Sequence, residues 1–269
     1  WIAAIKRIRS LMDIVPGGGS SGTFMFASAA SPPTLLFCTS FLFDATVWGK
    51  RLAPWLDHHR ALPLARDAIF ILDDASPVLP DDPGVRGYQR LPVDLPADAK
   101  AYFFRFPAHE GRNSMTGYRG WWRSFLFALD VAQTYGFDKI VHVESDAYLV
   151  SPRMVDYVNG LSRGWTAMWC PRWNFPETAV QVICADAFDA MAEIYGRGLD
   201  ELCKRQAEYT LPFTHVERGL VGDRYGEYRD DVPPDADYAC EVKPAMVATL
   251  PRCVRTSPAM PTASDRSIR

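Results

Sequence analysis

The sequence predicts an α/β domain built on a mostly parallel central sheet flanked by helices. Three observations lead there. Apolar, β-rich runs at residues 35–39, 69–73 and 140–144 alternate with segments of helical period. Two of those runs stop abruptly in carboxylates, at Asp73-Asp74 and at Glu144-Ser145-Asp146. The helical segment before the last run is closed by Gly136-Phe137-Asp138, a short turn of the kind that joins a helix to a strand.

The elements follow in order. Residues 1–33 read as a flexible N-terminal extension and linker. Trp1 to Met12 is amphipathic with interleaved basic residues, and Gly17-Gly18-Gly19-Ser20-Ser21-Gly22 is a linker by composition. No apolar core follows the early charges, so the start does not read as a signal peptide. Peripheral membrane contact through residues 1–15 is the alternative to a surface helix. A single domain then spans residues 34–256, and 257–269 form a loose tail. Leu35-Leu36-Phe37-Cys38-Thr39-Ser40 is the first buried strand. In the helix after it, Trp48, Leu52, Trp55, Leu56 and His59 share a face, and Pro54 kinks or breaks it. The second strand ends at Asp73. Residues 76–99, rich in Pro, Gly and Asp, read as a long surface loop. A strand at 100–106 follows. The next helix carries Trp122, Phe125, Leu129 and Ala132 on one face. Strands at 165–170 and 179–184 and helices at 188–195 and 199–207 complete the reading.

Composition narrows the function. Hydrophobic residues make up 48% and charged residues 23%, as in an ordinary globular protein. The net charge of −3 offers no electrostatic footprint for nucleic acid. The six cysteines form no C-x-x-C pair and have no histidine at zinc spacing, which suits a reducing cytoplasm. No stretch is long and apolar enough to span a bilayer. The expected location is therefore cytoplasmic, with the inner face of a membrane as a peripheral possibility.

The carboxylates carry the chemistry. Residues i and i+2 of a strand share a face, so Glu144 and Asp146 converge if the strand geometry persists. The C-terminal ends of parallel strands are where open α/β sheets bind ligands. Two oxygen donors there suit Mg²⁺ or Mn²⁺ completed by water and substrate phosphate. A solvated turn after a core strand is the alternative.

With these residues in view, the chain resembles GT-A-fold nucleotide-sugar glycosyltransferases. Asp73-Asp74-Ala75-Ser76 looks like their first acidic motif, and Glu144-Ser145-Asp146 looks like a variant of their Asp-x-Asp metal motif with Glu in the first place. The resemblance covers about residues 34–190. It implies a GT-A-like, Rossmann-type domain that moves a sugar from a nucleoside-diphosphate sugar to a hydroxyl of a saccharide-type acceptor. It also implies a divalent cation, manganese or magnesium, on Asp146 with or without Glu144. Asp73 and Asp74 would hydrogen-bond the base or ribose, and Thr39 could add a base contact or serve as a turn residue. The Gly-rich segment 109–120 feeds the N-terminus of a helix, where Arg119 and Arg123 could hold the donor phosphates or simply pair with surface acids. For an inverting reaction, Glu217 resembles the late acidic base, with Glu177 as alternative; either could be a structural ion pair instead. A non-catalytic saccharide-binding module and a sugar-nucleotide pyrophosphorylase are the competing functions. The second lacks its basic Gly-rich loop here, because Thr39-Ser40-Phe41-Leu42-Phe43-Asp44 stands after strand one.

Overall fold

The computed structural model describes residues 31–114 and 116–251. The described residues belong to one compact unit. The basic segment and linker at residues 1–30 and the tail at 257–269 lie outside the described residues. The main sheet is built from β1 (Thr34–Ser40), β2 (Ala68–Asp73), β3 (Val85–Tyr88), β4 (Ala101–Arg105), β5 (Lys139–Val143), β7 (Trp165–Cys170), β8 (Phe175–Cys184) and β9 (His215–Glu217). Its order is β3-β4-β2-β1-β5-β8-β7-β9. Every adjacent pair is parallel except those made by β8, which runs against β5 and β7. A second, three-stranded sheet is formed by β6 (Tyr148–Leu149), β10 (Gly222–Asp223) and β11 (Tyr238–Ala239).

Alternation along the strands creates two cores. Leu36, Cys38, Ile69, Ile71, Val141 and Val143 face one side, against Trp48, Leu52, Trp55 and Leu56. Leu35, Phe37, Phe70, Leu72 and Ile140 face the other, against Trp122, Phe125, Leu126 and Leu129. The first group of partners comes from α1 (Ala45–Val47), a π-helical turn (Trp48–Leu52) and α2 (Ala53–Ala61). The second comes from α3 (Arg119–Tyr135). The five apolar-face residues read from the first helix are all buried, and the break falls just before Pro54. Proline has no N–H to continue the ladder, so a wider turn precedes it. Helix α3 ends at Gly136 with φ 71°, a left-handed cap that glycine adopts without strain.

Three readings are corrected. The expected loop at 76–99 contains β3, an edge strand whose half-exposed residues carry no apolar alternation. Pro176-Glu177-Thr178 lies inside β8, not before it. The expected helix at 199–207 is limited to α6 (Leu199–Leu202) and a separate 3-10 turn at Ala207–Tyr209. Helix α4 (Pro152–Gly160), started by Ser151 accepting from the Met154 N–H, and the small sheet carried no strong pattern in the sequence. Helix α5 (Phe188–Gly196) stands where the periodicity put it.

Candidate active site

The chain order reverses at β1. Strands β2 and β4 extend the sheet to one side, and β5 pairs on the other. Strand ends flanking such a reversal splay apart and leave a crevice. Thr39 at the end of β1 and Glu144 just after β5 meet there, with Thr39 Oγ1 donating to Glu144 Oε2 at 2.8 Å. The Trp121 indole N–H donates to Glu144 Oε1, and His142 Nε2 lies 3.2 Å from the same oxygen. His142 alternates with Glu144 along the strand, is fully buried, and packs between Phe37 and Phe125. Burial pushes the Glu144 carboxyl up, but the nearby His142 imidazole and the hydrogen bonds from Thr39 and Trp121 outweigh it and hold it below its usual range.

Two cavities open at this edge, the first of about 480 Å³ and the second of about 390 Å³. Each has the size of a small-ligand site. Thr39, Phe41, Asp74, His109 and Arg112 line the first. Asp146, Trp173, Glu177, Glu208, Arg224 and Glu241 line the second. Arg51, Tyr118, Trp121 and Glu144 line both and form the wall between them. Trp121 is fixed by stacking on Phe125, with ring centroids 4.7 Å apart and planes 8° from parallel. Phe41 and Tyr118 offer exposed ring surface to the first cavity, and Trp173 does so in the second.

The acidic residues read from the sequence share one edge of the sheet but differ in what they do. Asp73 is fully buried and accepts from the Ser40 hydroxyl at 2.9 Å, the Ser76 hydroxyl at 2.5 Å and the Ser76 N–H at 2.7 Å. It ties the ends of β1 and β2 and does not line either cavity. Asp74 lines the first cavity. Its carboxylate accepts from the Gly111 N–H at 2.7 Å and the Glu110 N–H at 3.2 Å, and it pairs with Arg123 and with His109 at 2.9 Å. A Cβ on Gly120 would collide with this carboxylate, so glycine is required where α3 begins. Arg123 therefore holds Asp74, while Arg119 pairs with Glu110 at 2.9 Å and with Asp200; neither lines a cavity.

Asp146 pairs with Arg51 at 2.7 Å, Oδ2 to Nη2. Burial pushes its carboxyl up, Glu144 adds to this, and Arg51 opposes it. A cation held by Glu144 and Asp146 would need open oxygen donors. Both Glu144 oxygens accept hydrogen bonds from the chain, and a guanidinium already stands on Asp146. Among the described residues no group of three or more His, Cys, Asp and Glu side chains is arranged to hold a metal ion. As the side chains stand, both Glu144 oxygens and Asp146 Oδ2 are engaged within the chain, and a cation held by all three would have to displace those partners.

Of the two carboxylates expected as base, Glu177 lines the second cavity and Glu217 lines neither. Glu177 is buried and gives both oxygens to Arg224, at 2.7 and 3.0 Å. Burial raises its carboxyl and Arg224 opposes the rise. Glu217 folds back onto the Gly219 N–H at 2.5 Å and lies 3.4 Å from His215.

Sequence reading missed Arg51, Arg224 and Glu241. Glu241 has φ 55°, a left-handed conformation unusual for a residue with a side chain. The Glu241 carbonyl sits where a Cβ on Gly226 would be, so the conformation depends on that glycine. The next residue anchors the turn, because the Val242 N–H donates to the Asp146 carbonyl at 2.8 Å. Glu241 is exposed as a residue, yet the partial desolvation of its carboxyl, with Asp146 adding, pushes it up to about 7. The one local signal for Arg51 was Pro54, which marks an interrupted helix.

No family model matches the sequence, and no curated protein matches it. Among solved structures, one match is a glycosyltransferase involved in the glycosylation of the major capsid of PBCV-1. That match has 10% identity and a TM-score of 0.41, and it covers 78% of this chain and 94% of that one. No helix among the described residues is long and apolar enough to cross a membrane.

Proposed function

We propose that this protein is a glycosyltransferase, moving a sugar from a nucleoside-diphosphate sugar to a hydroxyl of a saccharide-type acceptor. The supporting observation is the pair of cavities meeting at the Trp121–Glu144 wall, at the sheet reversal. A nucleoside-diphosphate sugar has two dissimilar ends joined by a charged link, and two adjoining cavities of different chemistry match that shape. The first cavity suits the nucleoside: Phe41 and Tyr118 provide ring faces for a base, and Asp74 shapes the floor. Thr39 and Glu144 lie where the ribose would approach the wall.

The second cavity suits the sugar and its acceptor. Trp173 presents a fixed face, its indole N–H donating to Glu227 at 2.9 Å. A pyranose packs its C–H face on such a ring. Glu241 is the carboxyl group placed to take the acceptor proton. Its proton affinity near neutrality is what a general base needs. Glu177 is instead a positioning residue for Arg224.

The test is a thermal-shift series with UDP, GDP, CDP and ADP, followed by release of the nucleoside diphosphate from the corresponding sugar donors. One nucleotide should raise the melting temperature, and its sugar conjugates should be cleaved or transferred. A shift with free saccharides and none with any nucleotide would instead select the saccharide-binding module.

A further inference from the structure

We propose that Arg51 neutralises the leaving diphosphate, so that donor binding and transfer need no divalent cation. This rests on the glycosyl-transfer reading above. The diphosphate joins a nucleoside in one cavity to a sugar in the other, so it must cross the wall they share. Arg51 is the one cationic side chain among the described residues that lines both cavities. A group at this crossing must offset Glu144 and Asp146, whose charges otherwise repel a diphosphate.

Arg51 also has unspent capacity. Only Nη2 is engaged, with Asp146 at 2.7 Å, and the side chain is 42% exposed, so the rest of the guanidinium edge is open to an anion; Nε is buried without a partner and would be reached only if the side chain shifts. A guanidinium presents a planar fork that donates two bonds to a phosphate. The residue sits in the π-helical turn Trp48–Leu52, ahead of Pro54. Such turns recur at functional sites because they re-aim one side chain without ending the helix. Asp146 holds the guanidinium at the wall until an anion competes for it.

The transfer step then balances within the chain. The bond from the anomeric carbon to the diphosphate oxygen breaks, and its electron pair stays on that oxygen, beside Arg51. The acceptor oxygen forms the new bond to the anomeric carbon. The acceptor proton passes to the Glu241 carboxylate.

The experiment is titration of the full chain with UDP, GDP, CDP and ADP, in EDTA and with Mn²⁺. It uses wild type, Arg51→Met, Arg51→Lys and Asp146→Asn, each checked for a cooperative melt. One nucleotide should bind wild type equally, within about twofold, in EDTA and in Mn²⁺. Arg51→Met should weaken it by about tenfold or more, the cost of a lost charge-assisted pair, and Arg51→Lys should recover part of the loss. Asp146→Asn should tighten binding by about two- to fivefold, since it removes a competing ion pair of modest strength. Binding that needs Mn²⁺ and disappears in Asp146→Asn would overturn the proposal and leave glycosyl transfer standing. Binding of no nucleotide in either condition would overturn both. The wild-type comparison alone decides the cation question should a variant fail to fold.

Discussion

The ends of β2 and β5 carry similar signatures, an apolar run closed by two carboxylates, yet the carboxylates have different duties. At β2, Asp73 is sealed in and its carboxylate accepts from the turn that follows and from β1. Asp74 reaches a cavity but is clasped by Arg123, His109 and two backbone N–H groups. At β5, Glu144 and Asp146 stand in the walls of cavities and pair with side chains that also line them. The lesson is that a strand-end acid is recognised as structural or functional by which donors satisfy it. Asp73 and its main donor, Ser76, line neither cavity, whereas Asp74, Glu144 and Asp146 each line one and have at least one donor that lines it too.

Four measurements test whether the two strand ends differ in this way. The largest effect is expected from Asp73→Ala. It leaves the Ser76 N–H and two hydroxyls without an acceptor in a buried place, and should cost about 3 kcal/mol or more in denaturant unfolding. A loss below about 1 kcal/mol would mean that Asp73 is no more structural than Asp146. Gly120→Ala comes next. The added methyl must displace the Asp74 carboxylate, so the fold should lose about 1–3 kcal/mol, with weaker nucleotide binding at the first cavity.

Asp146→Asn should change stability by less than about 1 kcal/mol, because its partner Arg51 is 42% exposed and such pairs contribute little. A chemical melt that falls by several kcal/mol would move Asp146 into the same class as Asp73. The smallest effect concerns pH. Folding lifts Glu241 from 4.5 to about 7. A carboxyl raised on folding favours the folded state below the unfolded value, and that contribution is lost as pH climbs from 4.5 to 7. Glu241→Gln should therefore flatten the decline in melting temperature across that window. The slope is shallow, since the side chain still reaches solvent. An identical slope in the variant would show that Glu241 is not the titrating group.

Much of the scaffold was legible. The runs that became β1, β2 and β5 are buried on both faces, so they read as continuous apolar strands. Helix α3 declared itself by an apolar stripe and a terminal glycine. Strand β3 did not, because an edge strand with both faces half-exposed needs no apolar pattern. The site was legible only in part. Glu144, Asp146, Asp74 and Thr39, read from strand ends that are visible in sequence, line one or both cavities. Arg119 and Arg123 read either as phosphate ligands or as partners of acids; they pair with Glu110, Asp200 and Asp74, and neither lines a cavity.

What the sequence alone determined is therefore the set of strands, their two-sided burial and the edge on which the acids emerge. These follow from side-chain periodicity, which is a local property of the backbone. Only the tertiary structure decided which acids are spent on the turn and which face a cavity. It also decided that Arg51 meets Asp146 across 95 residues and that Arg224 meets Glu177 across 47. Those meetings depend on strand order, register and the antiparallel insertion of β8. Ion pairing acts through space, and no local pattern records which distant charge will arrive.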